Sequence, residues 1–199
     1  MNDEPVLIIA CGASKREEPS LVNQLYTGTL WKTYRAARTR KEGSDWSGPH
    51  PEFDVYVLSA AGGLMYETET SWPYDVQLVA ETSRKRGHRF RRVSQLVQEL
   101  TQRRRGLPTG RIYFVGGKLY REALQRVFPG GVRLIAPEGS GIGDQAAALK
   151  RFLGRGLPGV VAEIEREQEV ERQRAIRGAQ ALGARIVDLD AIIARVTGA

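Results

Sequence analysis

The run Val6-Leu7-Ile8-Ile9-Ala10 empties into Cys11-Gly12-Ala13-Ser14-Lys15, and this junction constrains the fold more than any other part of the chain. The apolar run is too short for a helix. Apolar residues without alternation read as a strand buried on both faces of a parallel sheet, hence a central one. The small residues after it let a ligand or a neighbouring loop approach the backbone at the strand's carboxyl end, the edge on which open α/β sheets carry their sites. Lys15 then either projects into that crevice or is a solvated charge on an ordinary strand-to-loop turn.

Composition bounds what such a strand belongs to. The chain has 199 residues, 41% of them hydrophobic, enough for one core of ordinary size and too few for two full domains. No apolar run approaches the roughly 18 residues that span a bilayer. The start Met1-Asn2-Asp3-Glu4 lacks the basic residues of a signal peptide, so a cytoplasmic protein without membrane partners is expected. Cys11 is the single cysteine, and His50 and His88 are the only histidines, so neither a disulfide nor a metal site is expected, and no cofactor is read from the sequence. The formal net charge of +7 favours a polyanionic partner. Between residues 84 and 105 stand Arg84, Lys85, Arg86, Arg89, Arg91, Arg92, Arg103, Arg104 and Arg105 against Glu99 alone. Phosphates are the natural counterpart of such a segment. The competing reading is the solvated face of an amphipathic helix that buries Phe90, Val93, Leu96, Val97 and Leu100.

The chain alternates. A helix is expected over residues 26–38, with Thr27 or Thr29 as N-cap, then a polar loop over 41–51 and a strand over 54–60. A long connection over 64–75 mixes aromatics with carboxylates, and long connections without regular structure tend to be functional or mobile. After the basic segment come a strand over 111–115, a helix over 118–128 closed by Pro129-Gly130-Gly131, a short strand over 132–135 and a helix from about Gln145. Without hairpin signals this pattern predicts an α/β fold of three layers with a mainly parallel central sheet of about four to five strands. The body is expected over residues 1–155. Residues 156–199 form a helical extension, mainly a long charged helix in which Glu163, Glu165, Glu167, Glu169 and Glu171 interleave with Arg166, Arg172, Arg174 and Arg177. Residues 185–196 add a short strand or turn and a last helix.

In a parallel sheet the strand-end clusters at residues 11–15, 59–63 and 139–143 converge on one edge. Their glycine-rich backbone suits an anion, although neither a P-loop nor a dinucleotide fingerprint is present. Lys15 and Cys11 are the candidate nucleophiles, with a core position as the alternative for Cys11. Glu67, Glu69 and Asp75 are candidates for acid/base work, Asp75 equally for capping a helix starting at Val76. Trp72 and Tyr74 either stack on a nucleobase or plug the loop.

Five segments together carry a resemblance: Ala10-Cys11-Gly12-Ala13-Ser14-Lys15, Leu25-Tyr26-Thr27-Gly28, Leu58-Ser59-Ala60-Ala61-Gly62-Gly63-Leu64, Pro73-Tyr74-Asp75, and Gly141-Ile142-Gly143 with Gln145. In this order they resemble an uncharacterised bacterial and phage domain family related to the YaaA-like peroxide-stress proteins, over roughly residues 5–153. Cys11-x-x-x-Lys15 also resembles the Pro-Cys-x-x-x-Lys motif of the archaeosine synthase domain, in which a lysine attacks the nitrile of a deazaguanine base in transfer RNA. Here Ala10 replaces the proline, and Arg16-Glu17 replaces the Pro-Tyr after the lysine. These readings converge on a nucleic-acid or nucleotide-directed enzyme of base or glycosidic-bond chemistry, with DNA preferred to RNA as partner. Lys15, Asp75 and Cys11 are its catalytic candidates. Gly12, Ser14, Tyr26, Ser59, Gly62, Gly63, Trp72, Tyr74, Gly141 and Gly143 are the ligand-binding candidates, and Arg84, Lys85, Arg86, Arg89 and Arg92 the nucleic-acid contacts. The alternatives are a non-catalytic DNA-binding stress protein and an enzyme of small nucleotides.

Overall fold

The structure is a computed structural model describing residues 5–44, 46, 48–103 and 111–197. In chain order its elements are β1 (Val6–Ala10), β2 (Ser20–Leu21), α1 (Val22–Leu25), α2 (Thr29–Glu42), β3 (Asp54–Ser59), β4 (Gly63–Tyr66), β5 (Thr70–Ser71), β6 (Gln77–Val79), β7 (Phe90–Arg92), α3 (Val93–Arg103), β8 (Ile112–Val115), α4 (Lys118–Val127), β9 (Val132–Leu134) and α5 (Ile142–Thr197). The chain divides into two compact units, Met1–Leu157 and Pro158–Ala199. The backbone of α5 is broken by Gly156, which takes a left-handed φ of 62°.

β1 is buried along its whole length and central, as its apolar run requires. The main sheet has the order β4-β3-β1-β8-β9, with β3, β1, β8 and β9 parallel and β4 antiparallel on the β3 edge. The alternating side chains of a strand serve two layers. Val6, Ile8 and Ala10 join Phe114 against Val93, Leu96 and Leu100 of α3 and Ala123, Leu124 and Val127 of α4. On the opposite face Tyr113 packs on Phe152 at 5.0 Å and Phe53 on Phe152 at 5.2 Å, bringing the first part of α5 onto the sheet. The Trp31 indole donates to the Ala10 carbonyl at 3.1 Å and so pins α2 to the carboxyl end of β1.

Several local expectations change. The connection after β3 is a hairpin. Gly63 takes φ 67°, and a side chain there would run into the Glu99 carboxylate, so β4 turns back along β3 where a parallel crossover had been expected. Residues 64–75 therefore contain β4 and β5. Asp75 precedes β6, which pairs with β7, so no helix starts at Val76 for it to cap. Phe90 belongs to β7, and α3 begins at Val93. The N-cap of α2 is Gly28, with Thr29 as the first helical residue. Residues 185–196 continue as helix, with no strand assigned there. Among the described residues no helix is long and apolar enough to cross a membrane.

Candidate active site

The strand order places a topological switch between β1 and β8. The chain leaves β1 toward β3 on one side, and the later parallel strands add on the other, so the loops after β1 and β8 diverge and leave a crevice. Gly116 lets the strand ends approach: a side chain on it would overlap the Ala10 Cβ. A cavity of about 400 Å³ lies here. Cys11, Gly12 and Lys15 line it from β1, Asp75 and Gln77 from the β6 segment, and Tyr120 with Lys118 from the start of α4.

Lys15 pairs with Tyr26 in an isolated antiparallel bridge, which holds its backbone, and its Nζ lies 4.3 Å from the centre of the Tyr74 ring. Partial burial lowers its pKa below the usual 10.5, and the neighbouring Cys11 and Asp75 offset this only in part. The ammonium is thus seated where losing its proton costs less than in water. Behind it runs a chain of hydroxyls. Tyr74 Oη is 2.6 Å from Tyr26 Oη and 2.5 Å from Ser59 Oγ. Ser59 Oγ accepts the Ala61 and Gly62 amides at 3.0 Å each, so its own proton is directed at Tyr74. Burial raises the pKa of Tyr26, Tyr74 and Tyr120, which remain protonated phenols at neutral pH. Tyr120 Oη lies 3.0 Å from Cys11 Sγ, which ties the first turn of α4 to the end of β1.

Of the sequence candidates, the crevice gathers Cys11, Gly12, Lys15 and Asp75, with Tyr26, Ser59 and Tyr74 directly behind. Asp75 is largely exposed and pairs with Arg89 at 3.3 Å, so it belongs to the rim. Ser14 is exposed, and its carbonyl accepts from the Thr27 amide. Gly62 and Gly63 serve the hairpin, Gly62 by leaving room for the Met65 thioether. Gly141 and Gly143 are exposed around the start of α5, whereas Gly139 and Ser140 line a cavity at the carboxyl ends of β8 and β9. Trp72 is 74% exposed.

Glu67 is not in the crevice. Its amide bonds the Val55 carbonyl near the amino end of β3, at the opposite edge of the sheet. It is fully buried and accepts from Tyr34 Oη at 2.5 Å, from Arg38 and Asn23 at 3.4 Å each and from the His50 amide. Glu69 accepts the Tyr66 amide at a turn. The basic segment also divides. Arg91 binds Glu99 and the Ala60 and Ala61 carbonyls, and Arg92 binds the carbonyls of Ala80, Glu81 and Ser83, so both are scaffold. Arg84, Lys85, Arg86 and Arg89 are exposed, while Arg104 and Arg105 lie outside the described residues.

Gly117, Lys118 and Tyr120 were missed by the sequence reading. Their signal was present: a third apolar strand ending in Gly116-Gly117 at the start of a helix, the same grammar as the β1 end. Searches among curated proteins and among solved structures found no match. The profile of a family described as a family of unknown function, DUF6884, matches residues 6–151, which includes the main sheet and the whole crevice, and the chain belongs to that family.

Proposed function

We propose that the protein is an enzyme directed at nucleic acid or nucleotides, acting on a base or its glycosidic bond with the Lys15 amine as nucleophile. The observation that carries this reading is the seat of Lys15: half-buried, its pKa lowered, over an aromatic ring in the switch-point crevice. A cavity of about 400 Å³ falls within the size range of small-ligand sites. The resemblance of Cys11-x-x-x-Lys15 to a lysine that attacks a modified base supports the same chemistry. In the glycosidic case Nζ attacks C1′ and the C1′–N bond breaks. The amine proton passes to the departing base, and opening of the sugar ring leaves an imine on Lys15.

The test is incubation of the full chain with single-stranded and duplex oligodeoxynucleotides bearing a panel of modified bases, with sodium borohydride present. Base release and a covalent adduct, both lost in Lys15→Met, are expected. Turnover that survives Lys15→Met refutes the role of Lys15. A second reading, non-catalytic DNA binding, is favoured by the exposed Arg84, Lys85, Arg86 and Arg89. It requires salt-dependent binding without turnover, and loss of that binding in Arg86→Ala/Arg89→Ala. On either reading we place the protein in the cytoplasm and assign the charged stretch from residue 159 to a helical extension outside the site.

A further inference from the structure

A second cavity, of about 560 Å³, opens at the carboxyl ends of β8 and β9 and shares Gly117 and Lys118 with the Lys15 crevice. Its two walls differ in chemistry. One is the first turn of α4, whose N-cap Gly117 supplies no side-chain cap, so the leading amides of a ten-residue helix have no side-chain acceptor there. Lys118 and Arg121 stand on that turn, and the Arg121 side chain is only 14% exposed, held by Glu138 at 3.4 Å. Facing it are Ser140 and Gln145. Gln145 Nε2 donates to the Ser140 carbonyl at 2.9 Å, which fixes the amide, while Gln145 Oε1 is buried and meets no donor among the described residues. One wall thus offers cations and N–H donors, and the other a buried acceptor beside the Glu138 carboxylate.

We propose that this cavity binds the ribose phosphate of a nucleotide whose base lies against Lys15; the assignment rests on the functional reading above. The phosphate sits on the α4 amides between Lys118 and Arg121, and a ribose hydroxyl donates to Gln145 Oε1. Inorganic phosphate alone leaves the acceptor unpaired, and a nucleoside alone leaves Lys118 and the α4 amides unused, so the two walls together select a phosphorylated sugar. The shared Gly117-Lys118 backbone makes the base crevice and this subsite continuous. The phosphate belongs either to a free mononucleotide or to a residue within an RNA strand, which keeps its 2′-hydroxyl free for Gln145.

Calorimetric titration of the full chain with inorganic phosphate, ribose 5-phosphate, the four nucleosides, their 5′-monophosphates and six-nucleotide single strands tests this. At least one monophosphate binds about tenfold or more tighter than its nucleoside, and that advantage disappears in Arg121→Gln and in Lys118→Gln. Gln145→Leu weakens ribose 5-phosphate and leaves inorganic phosphate unchanged. A strand bound more tightly than the monophosphate identifies polymer as the source, and equal affinities identify the free nucleotide; both support the subsite. Monophosphates bound no better than nucleosides overturn it, as does unchanged monophosphate affinity in Lys118→Gln, an exposed position where folding is not at stake. Lys15→Met keeps ribose 5-phosphate binding. Turnover that survives Lys15→Met, together with phosphate binding lost in Arg121→Gln, removes the catalytic reading and leaves the subsite standing.

Discussion

Replacing Arg38 by Met tests whether Glu67, a carboxylate that sequence alone marks for acid/base work, is scaffold. Arg38 is 1% exposed. Its guanidinium donates to Glu42 at 2.8 and 2.5 Å, to the carbonyls of Gly48 at 3.0 Å and Pro49 at 3.1 Å, and to Glu67 at 3.4 Å, and it lies 4.1 Å from the Trp46 ring centre. Methionine fills much of the stem's volume but leaves the fully buried Glu67 without its cation and two carbonyls without a donor. Breaking a buried pair from one side costs about 3–5 kcal/mol. For a chain of this length each kcal/mol moves the melting temperature by about 2–4 °C, so a drop of roughly 6–20 °C is expected. Burial already raises the Glu67 pKa above 4.5. Loss of Arg38 raises it further, so the ionised form is penalised most and the destabilisation is larger at pH 7 than at pH 5. Glu67→Gln removes the charge, and the double variant should recover about 1–3 kcal/mol relative to the sum of the single changes. Urea denaturation of the four proteins at both pH values measures this. Additive effects, or a loss below about 1 kcal/mol for Arg38→Met, refute the buried pair. Glu67→Gln that folds but abolishes turnover refutes the scaffold assignment.

Lys15→Met removes the ammonium and keeps the stem, so stability should change by less than about 1 kcal/mol while turnover is lost; a melting curve beside the base-release assay separates the two. In the wild type the rate should rise with pH through an apparent pKa below 10.5, because burial favours the neutral amine, and a rate independent of pH from 7 to 10 argues against Lys15 as nucleophile. Burial, reinforced by the nearby Arg38 charge, lowers the His50 pKa to about 4. The unfolded chain therefore takes up this proton first, and stability falls as pH drops from about 6.5 toward 4. Its difference from His50→Gln over that window should reach about 2–3 kcal/mol in denaturant titrations, and parallel pH curves would contradict the assignment. Gly63→Ala places a side chain at φ 67° against Glu99, so it should cost about 1–3 kcal/mol while leaving affinity for the crevice ligand intact, which a melt and a titration check together.

What the sequence by itself determined follows from local physics. Five apolar residues followed by small ones make a central strand with an open carboxyl end wherever they stand, because only a doubly covered strand buries both faces of such a run. The α4 pattern of Leu119, Tyr120, Ala123, Leu124 and Val127 and its stop at Pro129-Gly130 were legible for the same reason. Lys15 at a strand end was legible too. The tertiary structure alone decided what depends on partners distant in sequence. By its sequence Arg92 is a phosphate contact, yet its guanidinium serves three carbonyls, and Glu67 is by its sequence a crevice carboxylate, yet β4 carries it back to the far edge. The hairpin turns at Gly63, whose left-handed φ and missing side chain also leave room for Glu99, thirty-six residues away in the chain. Tyr120 entered the site because strand order puts β8, and not β3, on the open side of β1. Strand order is a property of the whole sheet's packing, and no local stretch of residues encodes it.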